Sequence, residues 1–238
     1  MRNSQFVSLN PQYAIGIIML LDPENIESKF IRNLLGPLAG DVLEVGCGDG
    51  RLTAELLSIS NTILAIDPDH AAIEKARHLL GSKIKLLMGS GESIPLADDS
   101  VDTVVFSLSL HHHPDPDNAL AQARRVLRER GRILVLEPMA ESPINRLFRI
   151  IHDEDDAYDR AAGAIDTCGL EMADRGTYET DWRFDNFEEL VGHLYSYFDF
   201  GPEKGQVKAM EEMLGSAAKD RPLVLEDSTR WWLLKKTP

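Results

Sequence analysis

Three groups of residues carry the chemistry that this sequence offers. The first is Glu44-Val45-Gly46-Cys47-Gly48-Asp49-Gly50, where three glycines alternate behind an acid. Glycine lets the chain turn tightly and lets a ligand approach without a Cβ in the way. The second is Asp67, followed by Pro68, at the end of the apolar run Thr62–Ile66. The third is His111-His112-His113, and imidazole is the side chain suited to moving a proton near neutrality. A dinucleotide fingerprint spaces its glycines G-x-G-x-x-G. Here the spacing is G-x-G-x-G with Glu44 beside it, and an acid there opposes a pyrophosphate and favours a ligand that presents a cation. Three consecutive histidines in a loop converge poorly on one ion, so no metal site is expected.

These groups need a scaffold, and the flanking pattern supplies one. Val42, Leu43 and Val45 read as a buried strand, and Leu52, Leu56, Leu57 and Ile59 as a helix after the glycine turn. Strands are expected over 62–66, 84–88, 101–106 and 132–136, with helices over 69–80 and 116–128 between them. Val101–Phe106 is almost wholly apolar and β-branched, as in a strand buried on both faces. This rhythm predicts an α/β fold, a doubly wound, mostly parallel sheet with right-handed crossovers. After Pro138 the rhythm changes. Helices are expected over 144–151, 158–168, 187–197 and 202–214, and long strands over 170–182 and 223–235. The two long strands suggest an antiparallel pair added to the sheet edge. Before the first strand, short helices are expected from Pro11 to Leu21 and after Asp22-Pro23, the second with the apolar stripe Ile26, Phe30, Ile31, Leu34 and Leu35.

Composition limits the function. The chain has 238 residues, 43% of them hydrophobic, and a formal net charge of −14. Binding to a nucleic-acid backbone needs clustered cations, which this balance opposes. The cluster Arg124, Arg125, Arg128, Arg130 and Arg132 reads as a solvated helix face, and the acidic run Asp153 to Asp156 as a solvated loop. Two cysteines suggest no disulfide framework and a reducing, cytoplasmic compartment. The apolar run Ala14–Leu21 is too short to span a bilayer and lacks the flanks of a signal peptide.

The glycine motif resembles the first motif of class I S-adenosylmethionine-dependent methyltransferases. Further segments match in order: Ala65-Ile66-Asp67; Gly91-Glu92-Ser93-Ile94-Pro95-Leu96 with Asp99-Ser100-Val101-Asp102; Leu110-His111-His112; and Arg125-Val126-Leu127. Together they cover residues 40–138, and the subgroup they most resemble is that of ubiquinone- and menaquinone-biosynthesis methyltransferases. The resemblance implies a Rossmann-like, seven-stranded, three-layer sheet with an antiparallel late strand. It implies one domain over 1–238, with cap helices over 1–40, a cofactor-binding half over 41–138 and an acceptor side over 139–238. It also implies S-adenosylmethionine as methyl donor, S-adenosylhomocysteine as product and a small-molecule acceptor methylated on oxygen, nitrogen or carbon. Gly46, Cys47, Gly48 and Gly50 then line the methionine part, with Glu44 orienting the loop. Asp67 accepts from the ribose hydroxyls and Pro68 packs on the adenine. Ser90, Gly91 and Glu92 border the adenine edge, and Ser107 and Leu110 line the site past the fourth strand.

Two departures stand out. Ser90 takes the place of the family's frequent acid, and Glu129-Arg130-Gly131 that of Pro-Gly-Gly. A base, where the acceptor needs one, is expected at His111 or His112; the plainer reading packs His112 as a structural residue and leaves its neighbours solvated. His113 stands where the family tends to be apolar. Candidate acceptor-pocket residues are Tyr13, Met19, Met139, Arg146, Phe148, Tyr178, Trp182 and Tyr195, most of them expected in the core. Two rival functions stay open, a non-catalytic S-adenosylmethionine-binding protein and a NAD-dependent oxidoreductase, as does the choice between monomer and homodimer.

Overall fold

A computed structural model describes residues 25–36, 39–81, 84–198 and 200–237. In order, the elements are α1 (Ile26–Leu35), β1 (Asp41–Val45), α2 (Arg51–Leu56), β2 (Thr62–Asp67), α3 (His70–Leu80), β3 (Lys85–Met88), β4 (Val101–Ser107), a 3-10 turn (Leu110–His112), α4 (Pro116–Val126) and β5 (Leu127–Pro138). Then follow α5 (Pro143–Ile151), α6 (Asp155–Thr167), β6 (Glu171–Phe184), α7 (Phe187–Tyr195), α8 (Lys204–Leu214) and β7 (Leu223–Lys235). The helix expected from Pro11, and the Asp22-Pro23 cap, lie outside the described residues.

The seven strands form one sheet in the order β3-β2-β1-β4-β5-β7-β6. β1 to β5 run parallel, and β7 runs antiparallel to β5. β7 therefore sits between β5 and β6. Val45 aligns with Ile66 on one side and Phe106 on the other, and Ser107 aligns with Leu136. This register gathers the carboxyl ends of β1, β2, β4 and β5 in one row, with Gly46, Asp67, Ser107 and Glu137 along it. The strand order reverses between β1 and β4, which is where open α/β sheets bind their ligands.

The chain clusters into two compact units. One holds residues 27–138, 155–178 and 229–238, and has an apolar core on each face of the sheet. Leu43, Val45, Val104, Phe106, Ile133 and Val135 face α4 and α6, while Val42, Ala65, Val105 and Leu134 face α1, α2 and α3. Strands buried on both faces explain the unbroken apolar runs of β1, β4 and β5. Tyr178, an expected pocket residue, stacks on Phe30 in this core with ring centroids 4.6 Å apart.

The other unit holds residues 139–154 and 179–228 and has its own core, built on Ile144, Leu147, Phe184, Leu190, Leu194 and Met210. Tyr195 is buried in it, and Phe148 and Trp182 pack against it, so these three candidates serve packing.

Three local expectations are corrected. α4 ends at Val126 and β5 starts at Leu127, because Leu127 pairs with Val101 and a register shift follows before Thr103 meets Arg132. Glu129-Arg130-Gly131 is thus an irregularity inside β5, with Arg130 at φ 65°. Three of the five arginines are not a solvated face, since each of their guanidinium groups joins separate elements, whereas Arg124 and Arg130 are exposed. Arg125 donates to the carbonyls of Ile94 and Leu96 and to Asp98; Arg128 bridges Asp41 and Asp102; Arg132 donates to the Leu35 carbonyl and to Thr103. The acidic run is half helix: Asp155 and Asp156 open α6, where carboxylates suit the N-terminal end of the dipole.

Candidate functional site

The three glycines of the turn all have positive φ, at 76°, 53° and 90°, but each is glycine for a different reason. A Cβ on Gly46 would lie 2.5 Å from the Cβ of Ser109, so the turn after β1 is pressed against the turn after β4. A Cβ on Gly50 would meet Leu80 at 2.6 Å and Ala76 at 3.2 Å, so close packing of α2 on α3 excludes it. Among the described residues, a Cβ on Gly48 meets nothing within 4 Å. The middle glycine therefore borders open space.

The acid of the motif stands behind the turn. Glu44 is 2% exposed and accepts the Thr53 hydroxyl at 2.5 Å, which ties β1 to α2. Loss of hydration pushes its carboxyl up to about 7, against the opposing pull of the Thr53 bond and of Arg51. Cys47 is buried, and burial pushes its thiol up, so it is an inert packing residue.

Asp67, at the end of β2, is 8% exposed and holds the turn from the other side. One carboxylate oxygen accepts from the Gly48 N–H and the other from the Asp69 N–H, each at 2.8 Å. Burial raises its carboxyl and the two N–H donors oppose that rise. Each oxygen keeps a second lone pair, the acceptor chemistry a diol needs. Pro68 is exposed beside it.

Ser90 and Ser93 form an isolated antiparallel bridge around Gly91 and Glu92. The Gly91 N–H donates to Nε2 of His113 at 3.1 Å, and a Cβ on Gly91 would overlap that nitrogen at 2.1 Å. Glu92 approaches the Asp115 N–H at 3.5 Å. The Ser107 hydroxyl is buried and finds no hydrogen-bond partner among the described residues. Leu110 is wholly buried in the core against α4 and α6. Its side chain packs instead of lining a site, which corrects the expectation for that residue.

The histidines reverse the plainer reading. His112 is exposed, while His111 and His113 are buried. The 3-10 turn turns alternate rings inward, and each finds partners there. Nδ1 of His113 bonds the Ser109 carbonyl at 3.1 Å while Nε2 accepts from Gly91. That neutral tautomer fills an apolar position edge-on to Phe106, and burial lowers its proton affinity. Nδ1 of His111 bonds a carboxylate oxygen of Glu137, the last acid of β5. The other oxygen of Glu137 accepts the N–H of Leu110 at 3.0 Å and of His111 at 3.4 Å. Glu137 is the residue of this turn that the sequence motifs do not single out. Its signal was the pattern shared with Asp67: one acid closing an apolar strand. Ser109, which donates to the Val45 carbonyl at 2.7 Å and fixes Gly46, carries no such signal.

Comparison with known proteins agrees with this geometry. A family model described as a methyltransferase domain matches residues 43–135. An uncharacterized methyltransferase of Mycobacterium bovis is 38% identical over 100 residues, which are 42% of this chain and 40% of that protein. A ubiquinone/menaquinone biosynthesis C-methyltransferase of Hahella chejuensis is 30% identical over 129 residues, 50% of this chain and 52% of the relative. The chain thus spans about half or less of the length of these curated relatives. Among solved structures, the YcgJ protein of Bacillus subtilis superposes with a TM-score of 0.64 at 16% identity, covering 90% of this chain and all of that one. The [4+2]-cyclase SpnF superposes at 0.60 with 15% identity, covering 100% of this chain and 88% of its own, so the fold alone does not choose a reaction. Residues present fit the family's methyl donor: open space over Gly48, an acceptor-only carboxylate beside it and an orphaned hydroxyl at Ser107. Residues 43–135, whose strands form the parallel part of a sheet in the order 3-2-1-4-5-7-6, thus match the model of a methyltransferase domain.

Proposed function

We propose that this protein transfers a methyl group from S-adenosylmethionine to a small organic acceptor. The observation that carries this reading is the open space over Gly48, with Asp67 bonded to the Gly48 N–H at 2.8 Å. In this reading Gly46, Cys47, Gly48 and Gly50 border the methionine part, and Asp67 accepts from the ribose. Pro68, Ser90, Gly91 and Glu92 border the adenine, and the Ser107 hydroxyl gains its missing partner from the ligand. Glu44 acts from behind, by holding α2 to β1 through Thr53.

The bound donor supplies a methyl carbon already activated by a sulfonium. What the protein adds is chiefly proximity and orientation, worth about 7–11 kcal/mol in well-aligned cases. His111 and His112 are the residues we assign to proton removal where the acceptor needs it. The net charge of −14 supports a small-molecule acceptor over nucleic acid. No helix among the described residues is long and apolar enough to cross a membrane. Cys47 and Cys168 are free thiols, which supports a reducing, cytoplasmic setting.

Titration calorimetry with S-adenosylhomocysteine and with NAD tests the reading. Saturable binding of S-adenosylhomocysteine without NAD binding is expected. Tight binding of NAD alone would overturn it. Transfer of labelled methyl to a small acceptor separates an enzyme from a protein that only binds the ligand.

A further inference from the structure

We propose that the cleft between α6, β6 and β7 is a second binding site, and that its ligand is a small amino dicarboxylate: a molecule with two carboxylates and one ammonium group, such as an acidic amino acid. The proposal stands apart from the methyltransferase reading. None of the residues that line this cleft belongs to the glycine turn, to the end of β2 or to the histidine turn.

The cleft has a volume of about 410 Å³, and the local pattern explains why it is there. α6 buries Ala161, Ala164 and Ile165, so Ala162 and Asp166, one helical turn apart, lie on the flank of that stripe. Ala162 is small and leaves room where a longer side chain would close the gap. Trp232 of β7 is buried in the same core as the stripe and forms the apolar floor. Arg230, two residues earlier and so on the same face of the strand, lies over the indole, with its guanidinium 5.8 Å from the ring centroid. On β6, Arg175 and Thr177 share a face in the same way and line the far side. Gly176 between them lends its backbone alone, because a Cβ there would press on Trp231 at 3.1 Å.

The charges point to the ligand. Arg32, Arg51, Arg77, Arg125 and Arg128 each reach a carboxylate. Among the described residues, Arg175 and Arg230 reach none, although Asp166 lines the same cleft. Register explains this for Arg230. The residue directly across from it is Glu137, whose carboxylate is taken up by the turn at Leu110 and His111. Asp166 stands in the last turn of α6, the end of a helix where a carboxylate is disfavoured and a cation is welcome. The cleft thus presents two positive groups and one negative group that do not satisfy one another.

A guanidinium matches a carboxylate through paired N–H donors, and a carboxylate accepts from an ammonium group. A ligand with two carboxylates and one ammonium meets all three side chains. A plain dicarboxylate leaves Asp166 opposed, and a neutral amino acid leaves one guanidinium unmet. The chain has a net charge of −14, so its surface at large repels anions and selectivity must come from these groups.

The test titrates the full chain, with proton–nitrogen NMR read at the Gly176 amide and at the Trp232 indole N–H, the latter assigned with Trp232→Phe. L-glutamate, L-aspartate, glutarate (the dicarboxylate that lacks the ammonium) and L-alanine are compared at fixed pH and ionic strength. Saturable shifts at both positions are expected with glutamate or aspartate, with glutarate at least ~10-fold weaker and alanine weaker still. Arg175→Gln and Arg230→Gln should each weaken the amino dicarboxylate roughly tenfold. Asp166→Asn should weaken glutamate and strengthen glutarate, which reverses the preference. Ala162→Leu should close the cleft to both while leaving S-adenosylhomocysteine affinity unchanged. Absence of shifts at Gly176 and Trp232 up to about 20 mM glutamate and aspartate overturns the proposal. So does equal affinity for glutamate and glutarate, alanine binding as tight as glutamate, or an unaltered preference in Asp166→Asn. Arg175, Arg230 and Asp166 are exposed, so their variants keep the fold and decide the matter even if Ala162→Leu unfolds. The readout needs no methyl transfer; failure to bind S-adenosylhomocysteine would sink the methyltransferase reading and leave this result standing.

Discussion

The Thr53 hydroxyl donates to the Glu44 carboxylate at 2.5 Å inside a fully buried environment, so the glycine turn is bracketed by a bond that never reaches its open side. Burial pushes the Glu44 carboxyl up to about 7, above its ordinary 4.5. A folded-state value above the unfolded one means that stability is greatest below about 4.5 and is lost as pH rises through about 7. Relative to Glu44→Gln, the wild type should therefore lose up to about 3 kcal/mol between those limits. Urea unfolding of both proteins at several pH values measures this; parallel pH profiles would refute it. Thr53→Val, which removes the donor, should cost about 1–3 kcal/mol at neutral pH.

Gly48→Ala and Gly46→Ala should separate binding from folding. At Gly48 a methyl meets nothing among the described residues, so the cost is that of the left-handed backbone, about 1–2 kcal/mol. The same methyl enters the space assigned to the ligand, and S-adenosylhomocysteine affinity should fall by roughly tenfold or more. At Gly46 the methyl strikes the Ser109 Cβ at 2.5 Å, and one of the two turns must move. That variant should lose markedly more stability. Thermal melts beside calorimetry give both quantities, and equal melting temperatures for the two variants would contradict the assignment.

Asp67→Asn replaces one acceptor oxygen by a donor, although both oxygens already accept backbone N–H groups at 2.8 Å. One of those bonds must fail, and the ribose loses its charged acceptor. Charge-assisted bonds of this kind are worth about 1.5–3 kcal/mol. Affinity for S-adenosylhomocysteine should thus drop roughly 10- to 100-fold. Calorimetry at fixed pH measures it, and wild-type affinity in the variant would remove Asp67 from the site.

His113 gives the Gly91 segment a pH dependence of opposite sense to that of Glu44. Burial lowers its proton affinity from the ordinary 6.5, so the folded state keeps it neutral. Its contribution is present above that value and is lost as pH falls, because a protonated Nε2 can no longer accept from Gly91. Protection of the Gly91 amide, its exchange taken relative to the intrinsic rate at each pH, should fall on acidification below about 6.5. His113→Leu should flatten that dependence and cost about 1–3 kcal/mol for the orphaned N–H. A protection factor at Gly91 that ignores pH in the wild type would refute the coupling.

Much of this protein follows from its sequence alone, and the reason is local. Apolar runs buried on both faces, as in Val101–Phe106, announce parallel strands because no polar side can face water. Glycines at two-residue spacing after Val45 announce a turn, since only glycine takes three positive φ values so close together. Caps such as Asp69, which accepts the Ala71 N–H, mark helix starts through bonds two or three residues long. All of these act within a few residues of chain. Tertiary structure decided what depends on distant pairs. Strand order and register brought Glu137 to His111 and Gly91 to His113, across 26 and 22 residues, and so chose which histidines turn inward. The same register set Arg125, Arg128 and Arg132 to joining elements, and it placed β7 between β5 and β6. A side chain's partner across the sheet is fixed by burial of whole strands, a cooperative quantity that no short window of residues contains.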